Sequence, residues 1–200
     1  NQASIRFLSS ISVPIVLLDR YIPRSRFDFV VSDNRNGSKM LVEHLVSKGK
    51  DKIAFISQKE DASAIKERMD GFVDGVLECG ISLHPKYMVC GELLRMENGY
   101  ESTRKLMALD DPPQAIVAST GDITLGVVKY LLENPELESK ITVCGFDDFD
   151  FLSFLKIPVT TVAQKTREMG RQAATILLER LNGDRGEQRR IFLETVLVER

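Results

Sequence analysis

The chain has 200 residues, 43% of them apolar, with 27 Lys and Arg against 29 Asp and Glu. That is enough apolar mass for one large or two small domains, and the net charge of −2 excludes the strongly basic face of a nucleic-acid-binding domain. No apolar run reaches the roughly 18 residues a membrane span needs, and three scattered cysteines, Cys79, Cys90 and Cys144, suit the reduced thiols of a cytosolic protein.

Residues 4–12 read as the end of a helix, and Val13–Leu18 as a buried strand ending at Asp19. A basic, proline-containing loop over 21–26 leads to a second strand over 28–32. Asn34 is placed to cap the next helix, which buries Leu41, Val42, Leu45 and Val46 and stops at Gly49. The run Ile53–Ile56 predicts a buried strand. Behind it, Met69, Phe72, Val73, Val76 and Leu77 fall at spacings of three and four, the inward stripe of a helix over 66–79 that stops at Gly80. Strands at 87–90, 115–119 and 141–146 then alternate with helices at 98–109 and 123–133. The pattern changes after Pro158, with a short strand over 159–162 and a helix over 166–182 that turns Met169, Ala173, Ile176, Leu177 and Leu181 inward. A charged linker, 184–190, precedes a terminal strand over 191–199.

The alternation from 28 to 148 predicts an α/β class, a parallel sheet with helices on both faces. The late strand, helix and strand predict a chain that crosses back between two lobes. Arg68 lies early in its helix, near the C-terminal edge of the preceding strand, where open parallel sheets bind ligands. Its guanidinium offers five fixed donors to such a site; the alternative is a surface arginine paired with Glu67 or Asp70. His44 and His84 share no ligand-like spacing with each other or with the cysteines, so no metal site is expected. The nucleotide-binding glycine motifs and the Gly-x-Ser-x-Gly elbow are absent. The acidic cluster 147–150 has no positioned partner and reads as turn capping, above all at Asp148 and Asp150. Neither a cofactor nor an enzymatic activity is expected.

The segments VPIVLLDR, FVVSDN, VEHLVSKGKDKIAFIS, RMDGF, NGYESTRKLM, ITVCGFDD, TTVAQ and LETVLVER follow one another in this order. Together they resemble the effector-binding core of the lac-repressor (LacI/GalR) family of bacterial transcription regulators. The resemblance implies a periplasmic-binding-protein-like type I fold, two α/β lobes flanking a cleft and joined by three crossovers. It places residues 1–31 and 159–183 in a first lobe that lacks its opening strand–helix units, and 34–155 and 187–200 in the second. The crossovers are expected near Asp33, Leu155–Pro158 and Asp184–Glu187. The family's DNA-binding domain is absent from this chain, so the natural protein is expected to be longer.

The implied function is a cytoplasmic homodimer that senses a small neutral ligand in the cleft, a sugar, with a purine base as the alternative. Operator DNA would be bound through an N-terminal domain not present here, with no membrane contact. The alternative is an extracytoplasmic sugar-binding protein of a transporter, which shares the fold. Arg68 and Asp147 match the family's cleft arginine and aspartate, and Asp19 an aspartate of the opposite lobe. Lining a wet cleft, Arg68 and Asp147 are expected to be dispensable for folding; the alternative for Asp147 is a turn cap. Leu93 or Leu94 falls near a position that often carries an aromatic stacking residue, and an aliphatic side chain there weakens stacking on a sugar face. Phe149 and Phe151 read as core; the alternative is that they take over that stacking. The family's usual Asn-Asp is replaced by Thr120-Gly121, with Asp122 one place later, which moves the expected polar contact to Thr120 or Asp122.

Overall fold

The computed structural model describes residues 2–59, 62–92 and 95–200. The chain runs α1 (Gln2–Ser9), β1 (Val16–Leu18), β2 (Asp28–Ser32), α2 (Asn34–Ser47), β3 (Ile53–Gln58), α3 (Ser63–Glu78), β4 (Met88–Gly91) and α4 (Arg95–Met107). It continues as β5 (Ala115–Ala118), α5 (Gly121–Glu133), β6 (Thr142–Phe146), β7 (Val159–Ala163), α6 (Thr166–Leu181), β8 (Arg190–Leu193) and β9 (Val196–Val198). The strands form a six-stranded sheet, β4-β3-β5-β6-β7-β9, and a three-stranded one, β1-β2-β8. Among the described residues every pairing is parallel except that of β9 with β7. No described helix is long and apolar enough to cross a membrane.

The central strands of the larger sheet are apolar at nearly every position because both of their faces are covered. Alternate side chains point to opposite faces. Ile53, Phe55, Ala115 and Val117 meet Leu41 and Leu45 of α2 and Phe72 and Val76 of α3. Ala54, Ile56, Ile116 and Ala118 meet Leu106 of α4 and Ile123, Val127 and Leu131 of α5. In the smaller sheet Val30 and Leu193 pack on Met169 and Ile176 of α6. On its other side Tyr21 stacks on Phe29 at 4.6 Å between ring centroids.

Several helix and strand details differ from the sequence expectation. The buried stripe of α3 is Ala64, Ile65, Arg68, Gly71, Phe72, Gly75 and Val76, whereas Met69 and Leu77 are exposed. The helix is rotated because its glycines face α2: a Cβ on Gly71 would lie 2.0 Å from the carbonyl oxygen of Arg35. Hydrophobicity alone does not mark a glycine as inward. Asp33, not Asn34, caps α2, its side chain accepting from the Asn36 N–H. The β1 strand is shorter than expected and only half-buried, with Val13 and Leu18 exposed, because it lies at the edge of its sheet. Leu181, at the end of α6, is also exposed. Phe149 and Phe151 do not enter the core but stand 40% and 43% exposed, because Leu152 is the buried anchor of the turn over 150–154.

The largest difference lies in the tail. β7 completes the six-stranded sheet, with Val159 opposite Val143 and Val162 opposite Phe146. The chain therefore leaves that sheet at Gln164–Lys165, not at Leu155–Pro158. The expected terminal strand is two strands: β8 pairs with β2 and β9 with β7. The third passage falls at Glu194–Thr195, not at Asp184–Glu187. Only the passage at Asp33 lies where it was expected, and there the Asp33 N–H donates to the Leu193 carbonyl, 2.8 Å.

The linker 184–190 stays with the small sheet because Arg180 pins it. Arg180 grips the Asp28 carboxylate through Nε (2.8 Å) and Nη2 (3.0 Å) and also donates to the carbonyls of Gly186 and Glu187. Burial pushes the Asp28 carboxyl up, but hydrogen bonds from Arg180 and the Arg189 N–H outweigh it and hold the group below its ordinary range. A depressed carboxyl stabilises the fold above its unfolded value, near pH 4, and that stability is lost as pH falls through the folded value. Urea denaturation at pH 5 and pH 3 is therefore expected to show a larger loss of stability for this protein than for Asp28→Asn. Equal losses would remove the pair from the acid response.

Candidate functional site

The C-terminal ends of β2, β5, β6 and β7 meet where the two sheets join, and one polar network ties them together. Its centre is Arg68, which is 4% exposed. Burial of so large a cation is tolerated only when its donors are engaged. Arg68 Nε donates to Asn34 Oδ1 (2.9 Å) and Nη1 to the Ser119 carbonyl (2.8 Å). The guanidinium lies 3.7 Å over the ring of Phe146, a cation–π contact, and Nη1 is 3.9 Å from Asp147 Oδ2. Burial lowers the guanidinium from its ordinary value, opposed by the charges of Asp147, Asp19 and Glu67; an arginine remains a cation all the same. The pairing with Glu67 or Asp70 at a surface is not what forms. Nor is Arg68 a loosely held residue in a wet cleft, since it faces the sheet on the inward side of α3.

Asp147 follows β6 with φ of +73°, a left-handed turn that aspartate tolerates. Its Oδ1 accepts from Gln164 Nε2 (2.5 Å) and its Oδ2 from the Gly121 N–H (3.3 Å), the first residue of α5. It therefore caps no turn of its own but touches the positive end of a different helix. Asp148 and Asp150 do not cap the following turn either. Asp148 accepts from Thr161 Oγ1 and pairs with Arg200 at 2.7 Å, and the turn over 150–154 has no side-chain cap.

Asp19, half-buried at the end of β1 with φ of +67°, stands on the other sheet. Its charge acts on Arg68, and Arg20 Nε lies 3.9 Å from its carboxylate. Thr120 caps α5, its hydroxyl accepting from the Ile123 N–H. Asp122 is exposed on the first turn of α5, 3.9 Å from Arg95 Nε. Leu93 and Leu94 lie outside the described residues.

The sequence reading missed the side chains that join these parts. Asn34 donates to the Ser32 carbonyl (3.0 Å) and to Glu67 Oε2 (3.2 Å) while accepting from Arg68. Gln164 accepts from Ser32 Oγ at 2.6 Å and donates to Asp147. Ser32 and Gln164 stand at two of the three passages between sheets. Tyr21, from the small sheet's side, donates through its hydroxyl to Glu67 Oε1 (2.6 Å) and through its N–H to Ser63 Oγ (2.9 Å). Burial, then the hydrogen bond to Glu67 and its charge, push the phenol up to about 12, so it stays a donor at neutral pH. The available signal was a polar residue within two positions of a strand's C-terminal end, as at Asn34 and Gln164.

Chemically, the arrangement offers a cation and an anion side by side, with acceptors and donors around them; among the described residues no nucleophile–base pair is positioned there. Residues 42–200 match the family described as a periplasmic binding protein-like domain. The HTH-type transcriptional repressor CytR of Escherichia coli K12 is 28% identical over 171 residues, 85% of this chain and 50% of that protein. The HTH-type transcriptional repressor PurR of Haemophilus influenzae PittEE is 29% identical over 190 residues, 94% of this chain and 56% of that one. A regulatory protein of the LacI family from Chloroflexus aggregans shares the fold with a TM-score of 0.90 at 26% identity, covering 100% of this chain and 72% of its own. The chain thus spans about half the length of the curated relatives it matches.

Proposed function

Since the chain belongs to the periplasmic binding protein-like domain family and its relatives are LacI-family regulators, we propose that it is the effector-binding core of a bacterial transcriptional regulator. The observation that carries this reading is the Arg68–Asp147 pair at the C-terminal edge of the large sheet, wired into two of the three passages to the small one. A small neutral polyhydroxylated molecule, a sugar, donates hydroxyls to Asp147 and accepts from Arg68, with Asp19 reaching it from the other sheet. A phosphate ester is disfavoured by the Asp147 charge at close range. The ligand acts by binding one relative orientation of the two sheets more tightly than the other. Ser32 and Gln164 link the carboxylate that holds the ligand to the segments that must turn. The whole protein works as a cytoplasmic homodimer on operator DNA and carries out no catalysis, with α4 and α5 contributing to the dimer contact. CytR and PurR are repressors and the Chloroflexus aggregans protein is a regulatory protein, which favours this reading over a transporter component.

A thermal-shift screen of the whole protein against sugars, polyols and nucleobases tests the reading. A compound at about 100 times its dissociation constant adds roughly 2.7 kcal/mol of stability. One compound is expected to raise Tm and to change retention on DNA from upstream of the protein's own gene. Sedimentation is expected to show a dimer. A compound that raises Tm with no change in DNA retention, or a panel without any shift, counts against it.

A further inference from the structure

In addition to the three passages, the loop between β1 and β2 joins the small sheet to α3. Tyr21 lies in that loop, and its ring is seated on the small sheet, stacked on Phe29 with 15° between planes and edge-on to Phe192 of β8. From that seat it holds α3 at two points. Its N–H donates to Ser63 Oγ (2.9 Å) and its hydroxyl to Glu67 Oε1 (2.6 Å). Ser63 and Glu67 are four residues apart in the helix, so they stand one above the other on one face. The two bonds form a clasp that fits a single orientation of the small sheet over α3.

The clasp does not end at Glu67. The other carboxylate oxygen, Oε2, accepts from Asn34 Nδ2 (3.2 Å), and Asn34 Oδ1 accepts from Arg68 Nε (2.9 Å). A continuous chain of hydrogen bonds thus runs from a tyrosine of the small sheet to the central guanidinium of the site. Asn34 and Arg68 are both buried, where water does not readily replace a lost partner. Asp19 stands two residues before Tyr21, so the clasp also sets how near that carboxylate comes to Arg68, on which its charge acts.

We infer that Tyr21 is a positioning residue of the effector site: its clasp on α3 shuts as the small sheet closes over the ligand and fixes Arg68 in the orientation that binds. The inference rests on the effector-core reading and deepens it. Turning the small sheet away about its passages breaks both bonds to α3 and frees Glu67. A ligand on Arg68 and Asp147 is held more tightly while the clasp is shut, and the clasp is favoured while the ligand is held, because such coupling is reciprocal.

The test uses the whole protein and a fixed panel of D-glucose, D-ribose, cellobiose, adenosine, cytidine, hypoxanthine and D-sorbitol. The compound that raises Tm most is titrated calorimetrically into Tyr21→Phe, Glu67→Gln, the two combined, and Asp147→Asn. Tyr21→Phe keeps the ring on Phe29 and removes only the hydroxyl. It is expected to weaken binding about tenfold and to raise by the same factor the concentration of compound that changes DNA retention. The Tm of the ligand-free protein is expected to hold, because the clasp serves the orientation that the ligand selects. The combined variant is expected to bind no more weakly than Glu67→Gln alone, since the hydroxyl works through that carboxylate. Effects that add in full across the pair would overturn the inference. So would an unchanged dissociation constant in Tyr21→Phe beside weakened binding in Asp147→Asn, which leaves the effector core standing. A lower ligand-free Tm with unchanged affinity would make Tyr21 a brace of the fold and overturn it as well. No weakening in any of these variants, or no binding by any compound, overturns both readings.

Discussion

Arg68→Ala is expected to lower the folding stability by about 3–5 kcal/mol, as well as removing ligand binding. The side chain is buried against the ring of Phe146 and supplies donors to Asn34 Oδ1 and to the Ser119 carbonyl. Removing it leaves both acceptors without their donor, Asp147 without its facing cation, and a void on the inward side of α3. Unpaired buried acceptors cost about 1–3 kcal/mol each, and a natural domain holds only about 5–15 kcal/mol in all. Arg68→Lys is expected to fall between, since an ammonium is a point charge on a flexible stem and cannot reach two acceptors in a fixed fork. Urea denaturation measures the order: the unsubstituted protein, then Lys, then Ala. An Arg68→Ala protein as stable as the parent would show that the network holds nothing together and that Arg68 is a cleft residue only. That outcome would restore the expectation drawn from the sequence, in which the fold survives its loss.

Asp147→Asn is expected to separate affinity from stability in the other direction. Asparagine accepts the left-handed backbone at this position, φ +73°, at least as readily as aspartate, so the turn survives. Its single oxygen can serve Gln164 Nε2 or the Gly121 N–H but not both. One hydrogen bond is lost, roughly 1 kcal/mol, and Tm falls only slightly. The charge facing Arg68 and the ligand is removed entirely. A hydrogen bond to a charged group is worth about 1.5–3 kcal/mol, so the affinity for the best-binding sugar or nucleobase is expected to fall about ten- to a hundredfold. Calorimetric titration reads this directly. An unchanged dissociation constant would reduce Asp147 to a brace between Gln164 and the start of α5.

Much of this protein is local information. Apolar runs such as Ile53–Ile56 and Ala115–Ala118 declare strands with two covered faces. Gly49, Gly80 and Gly183 mark helix ends, and each has a positive φ. Arg68 stands out by its place after a strand of a parallel sheet, at the edge where such sheets bind ligands, and Asp147 by the family resemblance alone; the fold brings the two side by side. What the chain could not show by itself is pairing and facing. Val159–Ala163 and Val196–Val198 look like any other short apolar runs. Only partners more than ten residues away decide that both join the large sheet while Arg190–Leu193, between them, joins the small one. In the same way, the buried side of α3 is set by how closely α2 approaches Gly71, and that approach carries Arg68 inward to its acceptors. The outward turn of Phe149 follows from the bare helix end at Gly121, a contact across 28 residues that no periodicity records. Secondary structure follows nearest neighbours along the chain, whereas strand order and the burial of a charge depend on which surfaces are left for each element once the others have packed.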